Sequence, residues 1–283
     1  MGFNSESLGL PKGTDALLRA LIHERTGNFF DNGKVDLLTD KLSPLVIERG
    51  FTSFLDYYYL LKYDEAAEDE WRNVMNALSV PETYFWREID QVRALVDVIV
   101  PRWFEAHGNL PLKIWSAACA TGEEPLTIAM ALDGAGWFDR ATIEIHASDA
   151  SSSAVEKARR GVYRERAFRN LSPELRAKYF TQEGASSRVH EDLHARVRWS
   201  VANLMDEGEV AQLASAHVIF CRNVFIYFSE SAIARTVRSF AGHVRPPGYL
   251  FVGTSESLLR LTTDFTLEEI SNAFVYVRQS SGG

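Results

Sequence analysis

The strongest constraint on how this chain folds is an alternation that begins near residue 90, where short apolar runs are separated by helical patterns. The runs are Lys113-Ile114-Trp115-Ser116-Ala117, Ile143-Glu144-Ile145-His146-Ala147, His217-Val218-Ile219-Phe220-Cys221-Arg222-Asn223 and Tyr249-Leu250-Phe251-Val252-Gly253. Between them, residues 125–132, 153–160 and 231–243 carry apolar side chains at helical spacing, and a further helix over 89–104 precedes the first strand. Parallel strands must be joined by crossovers, and helical crossovers cover both faces of the sheet. The expectation is therefore a doubly wound α/β sheet. The stretch 171–202 breaks the rhythm with a helix over 173–180, a polar turn region and the run Val197-Arg198-Trp199-Ser200-Val201. It reads as a small β insertion, either a hairpin or a three-stranded sheet.

Ahead of the alternation, residues 14–78 are helical in pattern. Ala16, Leu17, Ala20 and Leu21, then Leu37, Leu38, Leu42, Leu45 and Val46, then Phe54, Leu55, Tyr58, Tyr59 and Leu61 recur at helical spacing. Gly50 stands where a helix C-cap is wanted. The chain thus divides into a small helical domain, 1–85, and an α/β domain, 86–283. With 283 residues and 46% apolar content it can bury a substantial core. Residues 1–80 hold eight Lys/Arg against thirteen Asp/Glu, so the helical domain carries −5 of the chain's net −8. An acidic balance argues against nucleic-acid binding, which uses a basic face. The two cysteines, Cys119 and Cys221, imply no disulfide framework and suit a reducing cytoplasm. No apolar run is long enough to insert into a membrane. The first residues lack the pattern of a secretory signal, and Glu6 occupies the position where a Met1-Gly2 myristoylation motif needs Ser or Thr.

In a doubly wound sheet, ligands bind beyond the carboxyl ends of the strands, at the switch point. Three strand ends carry polar residues. The first runs from Ala117 to Glu124 and contains Gly122, where backbone can pass close to a ligand; a helix is expected from about Pro125. It has neither a G-x-G-x-x-G pattern nor a P-loop lysine, which favours a nucleoside without phosphates; an ordinary turn with acids at a helix N-terminus is the plainer alternative. The second is Asp149, placed to accept bonds from two ribose hydroxyls, or to cap the next helix together with Ser151, Ser152 and Ser153. The third is Arg222-Asn223, with Tyr227 four residues on. Polar groups directly after a buried strand need partners, so Arg222 either faces a ligand or sits in a buried ion pair; Tyr227 either borders the same mouth or packs in the core. Cys221 reads as a buried small apolar residue. His190 and His194 have a spacing that zinc can use, but with only Glu191 and Asp192 nearby they read as a solvated pair rather than a metal site.

Six segments together resemble the chemotaxis receptor glutamate O-methyltransferase (CheR) family. They are Val80–Glu88 (Val-Pro-Glu-Thr-Tyr-Phe-Trp-Arg-Glu), Ile114–Pro125, Ala147-Ser148-Asp149, Ala158–Tyr163, Ile219–Tyr227 and Gly253–Ser257. The resemblance covers nearly the whole chain and implies a Rossmann-like methyltransferase sheet. It also implies S-adenosylmethionine as cofactor and S-adenosylhomocysteine as product. The acceptor it implies is a glutamate carboxylate on the cytoplasmic domain of a chemoreceptor. It places Thr83 and Arg87 at the amino-acid end of the cofactor, Glu124 by its amino group, Asp149 on the ribose, and Asn203 and Leu204 beside the adenine; pairing of Arg87 with a neighbouring acid, Glu82 or Glu88, is the plainer alternative for that residue. Arg222 and Asn223 would line the pocket, and Tyr227 would border the methyl-transfer position, with Arg87 and Tyr227 the residues on which catalysis turns.

Three departures stand out. Pro81 replaces an Asn of many relatives. The segment between Phe180 and Asn203 is short, which argues against docking of a receptor tail peptide. Residues 34–49 balance Lys34, Lys41 and Arg49 against Asp36, Asp40 and Glu48, where familiar members have a basic helix. These residues also leave open a different protein or small-molecule acceptor, or a regulator that binds the cofactor without catalysis.

Overall fold

The computed structural model describes residues 10–279 except Lys12 and Ala66; the secretory-signal and Met1-Gly2 readings lie outside the described residues. The helical domain consists of α1 (Thr14–Thr26), α2 (Val35–Glu48), α3 (Phe54–Tyr63) and α4 (Ala67–Leu78). Their apolar stripes close on a core of Leu18, Ile22, Leu38, Leu42, Val46, Phe54, Tyr57, Leu61, Trp71, Val74 and Leu78. Gly50 follows α2 at φ 76°, a left-handed stop that a side chain would disfavour. One charge is buried there: Glu70 accepts from the Tyr57 hydroxyl at 2.6 Å, Arg49 Nε at 2.6 Å and Asn73 Nδ2 at 3.1 Å, so its carboxylate is paired rather than stranded.

The expected helix over 89–104 is a continuous helical run with a π turn inside it: α5 (Ile89–Ala94), the turn Leu95–Ile99, and α6 (Val100–His107). Then come β1 (Leu112–Ala117), α7 (Glu123–Gly134), β2 (Ile143–Asp149) and α8 (Ser152–Arg160). A small second sheet is built from β3 (Val162–Arg164), β4 (Phe180–Glu183) and β5 (Ser186–Val189), antiparallel in the order β3-β5-β4, with α9 (Pro173–Tyr179) before β4 and α10 (Glu191–His194) after β5. The chain returns through β6 (Val197–Val201), α11 (Glu207–Leu213), β7 (Val218–Phe220), α12 (Glu230–His243) and β8 (Gly248–Phe251), and ends in the hairpin β9 (Thr266–Ile270) and β10 (Ala273–Arg278).

The main sheet has the order β6-β2-β1-β7-β8-β10-β9; its first five strands are parallel, and β10 runs antiparallel to β8 and β9. The chain winds outward from β1 through β2 to β6, then restarts at β7 on the other side of β1. That reversal is the switch point, and the carboxyl ends of β1, β2 and β7 meet there. Apolar clusters cover both faces, one around Leu95, Ile128 and Ile145, the other around Trp115, Phe240 and Leu250.

Two expectations change. The run Val197-Arg198-Trp199-Ser200-Val201 is not part of the insertion: it is the edge strand β6, paired in parallel with β2 from Ile145↔Val197 to Asp149↔Val201. The inserted sheet instead starts at Val162, ahead of residue 171, because its third strand is supplied from before α9. The C-terminal hairpin is an addition. Ser271 and Asn272 turn it with positive φ at both positions (48° and 65°), the geometry that two-residue hairpins require.

Candidate active site

All nine residues singled out from the sequence line one cleft at the switch point: Thr83, Arg87, Glu124, Asp149, Asn203, Leu204, Arg222, Asn223 and Tyr227. It encloses about 1150 Å³ of empty space including its mouth, and Thr26, Asn28, Met75 and Leu78 of the helical domain complete its wall.

Each strand end contributes differently. After β1 the chain takes left-handed conformations at Ala118 (φ 55°) and Ala120 (φ 49°), which turn the Ala120 N–H onto Asp149 Oδ2 at 2.9 Å. The Ser151 N–H donates to Asp149 Oδ1 at 2.8 Å. Asp149 thus fastens the first two loops together and keeps spare lone pairs facing the cleft. Burial pushes its carboxyl above the usual range, and the two backbone bonds oppose that. Gly122 does not approach the cleft: at φ 95°, its missing Cβ would lie 2.8 Å from Trp199 Cη2 and 2.9 Å from Ala158 Cβ. Its smallness serves packing against α8 and β6, not a ligand. Pro125 sits at the third position of α7 rather than the first, still within the turn whose N–H groups have no helical partner.

After β7, Arg222 is buried, its side chain only 2% exposed. Its Nε lies 3.3 Å from Glu124 Oε2 and 3.7 Å from Glu88 Oε2, and Nη2 donates to the Arg87 carbonyl at 2.8 Å. The buried-ion-pair alternative is therefore realised, and in the cleft wall itself. Arg222 Nε makes no hydrogen bond within the protein, so a buried donor remains to be satisfied there. Glu124 also accepts from Ser116 Oγ at 2.7 Å; burial raises its carboxyl, while Arg222 and Ser116 lower it. Asn223, left-handed at φ 59°, donates from its side chain to Glu88 Oε1 at 3.3 Å and from its backbone to Glu256 Oε2 at 2.8 Å.

The segment ahead of α5 forms the remaining wall. Trp86 (φ 67°) and Glu88 (φ 49°) are both left-handed, and Arg87 Nη1 donates to the Glu82 carbonyl at 2.8 Å. Seven non-glycine residues have positive φ among those described; of the five outside the C-terminal turn, Ala118, Ala120 and Asn223 line the cleft, and Trp86 and Glu88 flank its Arg87, where strained backbone marks a functional site. Asn203 donates to the Arg25 carbonyl at 2.7 Å and accepts from the Met205 N–H at 3.0 Å, tying the cleft to α1. Tyr227 is 39% exposed at the mouth, so the core-packing alternative does not hold, and its carbonyl accepts from the Phe29 N–H at 2.8 Å.

Sequence reasoning offered Glu88 only as a partner for Arg87, whose Nε lies 3.9 Å from Glu88 Oε1; it missed the contacts of Glu88 with Arg222 and Asn223, and it missed Glu256, although both acids lie in motifs it quoted. It also missed Asn76 of α4, whose Oδ1 accepts from Ser151 Oγ at 2.9 Å and the Ser153 N–H at 3.1 Å. No local signal marks Asn76; only the docking of the two domains does. Cys119 and Cys221 are both buried, which pushes each thiol up and leaves no thiolate nucleophile. His190 contacts Thr181 Oγ1 at 3.2 Å and His194 the Ala158 carbonyl at 2.9 Å; among the described residues no cluster of three or more His, Cys, Asp or Glu is placed to hold a metal.

Two family models match. Residues 81–274 match the CheR methyltransferase SAM-binding domain, and residues 16–79 the CheR methyltransferase all-alpha domain. The chain belongs to the CheR methyltransferase family. It is 33% identical over 266 residues to chemotaxis protein methyltransferase 2 of Vibrio cholerae, covering 93% of this chain and 92% of that one. Similarity to the chemotaxis protein methyltransferase of Escherichia coli is 33% over 270 residues, covering 93% and 91%. With chemotaxis protein methyltransferase 1 of Pseudomonas aeruginosa it is 30% over 269 residues, covering 92% and 96%.

The chain is a methyltransferase, and its cofactor is S-adenosylmethionine. The cleft suits that molecule on its own chemistry. Carboxylates at Glu124 and Asp149 and the guanidinium of Arg87 line it together, which suits a ligand that carries cationic groups, hydroxyls and a carboxylate.

Proposed function

We propose that this enzyme methylates glutamate side chains in the cytoplasmic domain of a chemoreceptor, leaving methyl esters and S-adenosylhomocysteine. The observation that carries the reading is the convergence of all nine residues on one switch-point cleft in a chain of this family. In this reading Arg87, with Thr83, holds the cofactor carboxylate, for which a guanidinium fork is suited. Glu124 lies by the amino group and Asp149 by the ribose hydroxyls. Asn203 and Leu204 form the wall for the adenine, and Arg222 and Asn223 keep the floor rigid.

When bound, S-adenosylmethionine supplies a methyl group on a sulfonium, already activated for displacement. The acceptor glutamate, with an ordinary pKa of about 4.3, is ionised at neutral pH, so no residue needs to remove a proton. This accounts for a cleft without a Cys-His or Ser-His pair. The protein's task is positioning: reacting atoms must sit roughly 3–3.5 Å apart and in line. Tyr227, at the mouth, is placed to shape the acceptor's approach and keep water away. The inserted sheet has strands of three or four residues, and docking of a receptor tail peptide on it is not part of this reading. No helix among the described residues is long and apolar enough to cross a membrane; we place the enzyme in the cytoplasm, where the receptor domain lies.

Transfer of labelled methyl to a receptor cytoplasmic fragment tests the proposal. Label that mild base releases, as it would an ester, supports it. Label that resists base, or that passes only to another protein or a small molecule, contradicts it, and cofactor binding without any transfer indicates a regulator.

A further inference from the structure

We propose that Arg166 and Arg169, which belong to the inserted subdomain, are positioning residues that set Arg87 for the cofactor. They leave the short turn Glu165–Phe168 and its following residue and reach the segment that carries Arg87. Arg166 Nη2 donates to Glu82 Oε2 at 2.8 Å, and Arg169 Nη2 donates to Glu82 Oε1 at 2.9 Å. The same Glu82 offers its backbone carbonyl to Arg87 Nη1 at 2.8 Å. Between the two arginines lies Tyr84, with the Arg169 guanidinium 3.7 Å from its ring centre and that of Arg87 5.5 Å away. Arg169 first, then Arg166, hold the Glu82 carboxyl below its usual range.

Two anchors already fix the other end of the segment. The Phe85 N–H donates to the Ala167 carbonyl at 2.9 Å, and the Phe85 ring packs on Tyr163, Phe168 and Phe180. What the arginines add is the orientation of residues 82–84, on which the Arg87 side chain rests. The Glu82 pairs are exposed, with side chains 39–68% accessible, so they contribute little to folding. Their geometry is therefore separable from stability. The chemistry also explains why Glu82 and Tyr84 line the cleft without a role in the transfer itself.

The inference rests on the reading of Arg87 as the cofactor-carboxylate residue. The test is calorimetric binding of S-adenosylhomocysteine and of adenosine, which lacks the carboxylate, to the full chain and to Arg87→Ala, Arg169→Ala, Arg166→Ala/Arg169→Ala and the triple variant. Arg169→Ala should raise the S-adenosylhomocysteine Kd about fivefold, and the pair more, while the adenosine Kd and the melting temperature stay as they were. With Arg87 already replaced, removing Arg166 and Arg169 should change nothing further. If Arg87→Ala weakens S-adenosylhomocysteine but Arg169→Ala does not, or if the losses add, the arginines do not act through Arg87 and the inference is overturned. An equal loss of adenosine binding would overturn it as well, because the effect would then be on the cleft as a whole. Unchanged binding in Arg87→Ala would remove the underlying reading, and the inference with it.

Discussion

Replacing Gly122 with alanine should damage the enzyme through packing, although the residue touches no ligand-facing surface. Two costs follow from the structure. The backbone stands at φ 95°, outside the range an L side chain prefers, which costs roughly 1–2 kcal/mol. The new Cβ would also come within 2.8 Å of Trp199 Cη2, 2.9 Å of Ala158 Cβ and 3.0 Å of Trp199 Cζ3. Neither neighbour yields easily: Ala158 is fully buried on α8, and Trp199 is stacked on His194 at 5.4 Å between ring centres. Overpacking of this kind costs about 1–3 kcal/mol. Together they give about 2–5 kcal/mol, or a fall of about 4–20 °C in melting temperature for a chain of this size. Cofactor affinity should fall too, since the same loop presents the Ala120 N–H to Asp149. Thermal unfolding of Gly122→Ala, Trp199→Leu and the double variant gives the answer. Trimming the indole should recover the Trp199 share of the overlap, part of the about 1–3 kcal/mol, and leave the Ala158 overlap and the backbone part. A Gly122→Ala protein within about 0.5 kcal/mol of wild type, or strictly additive variants, would show that Trp199 does not confine this position.

Three further outcomes are expected. Arg222→Met leaves Glu88 and Glu124 facing each other without their buried cation, and should cost about 3–5 kcal/mol in denaturant unfolding; a loss below about 1 kcal/mol would show that the pair is not needed. Burial raises both Asp149 and Glu124, so their contribution to stability is present below the ordinary carboxylate range and is lost as pH rises through the raised values; a cationic cofactor favours the ionised forms. The affinity for S-adenosylmethionine should therefore weaken as pH falls from neutrality toward the carboxylate range, and calorimetry showing tighter or unchanged binding would contradict this. Tyr227→Ala should lower kcat about ten- to a hundredfold with the cofactor Kd unchanged; steady-state kinetics in which only the cofactor Kd moves would place Tyr227 with the binding residues instead.

Much of this was legible in the sequence because it is carried by local patterns. Strand-helix alternation gave the doubly wound sheet, and the polar strand ends at Asp149 and Arg222-Asn223 gave the cleft. The misplacement of Val197–Val201 is instructive. Contiguity with the insertion grouped it there, but its pairing partner, β2, is some fifty residues earlier, and strand partners are not encoded by proximity. Gly122 reads in the sequence as a place where backbone passes a ligand; its true neighbours, Trp199 and Ala158, reach it only through the fold. Asn76 and Arg169 carry no motif at all; each matters through a contact made across a domain or subdomain boundary. The ion pair of Arg222 with Glu88 and Glu124 joins three segments, so composition and spacing could raise the alternative but not decide it.

Delivery of a methyl group from this cleft to a glutamate carboxylate of a receptor leaves a product that can be located directly. Its most direct test is peptide mass spectrometry of a chemoreceptor cytoplasmic fragment after incubation with the enzyme and S-adenosylmethionine. One added methyl is expected on each modified glutamate side chain, absent when Arg87→Ala or Asp149→Ala enzyme replaces wild type and absent when those glutamates are changed to alanine. A methyl found on another residue type, or none on the fragment while S-adenosylhomocysteine accumulates, would contradict it.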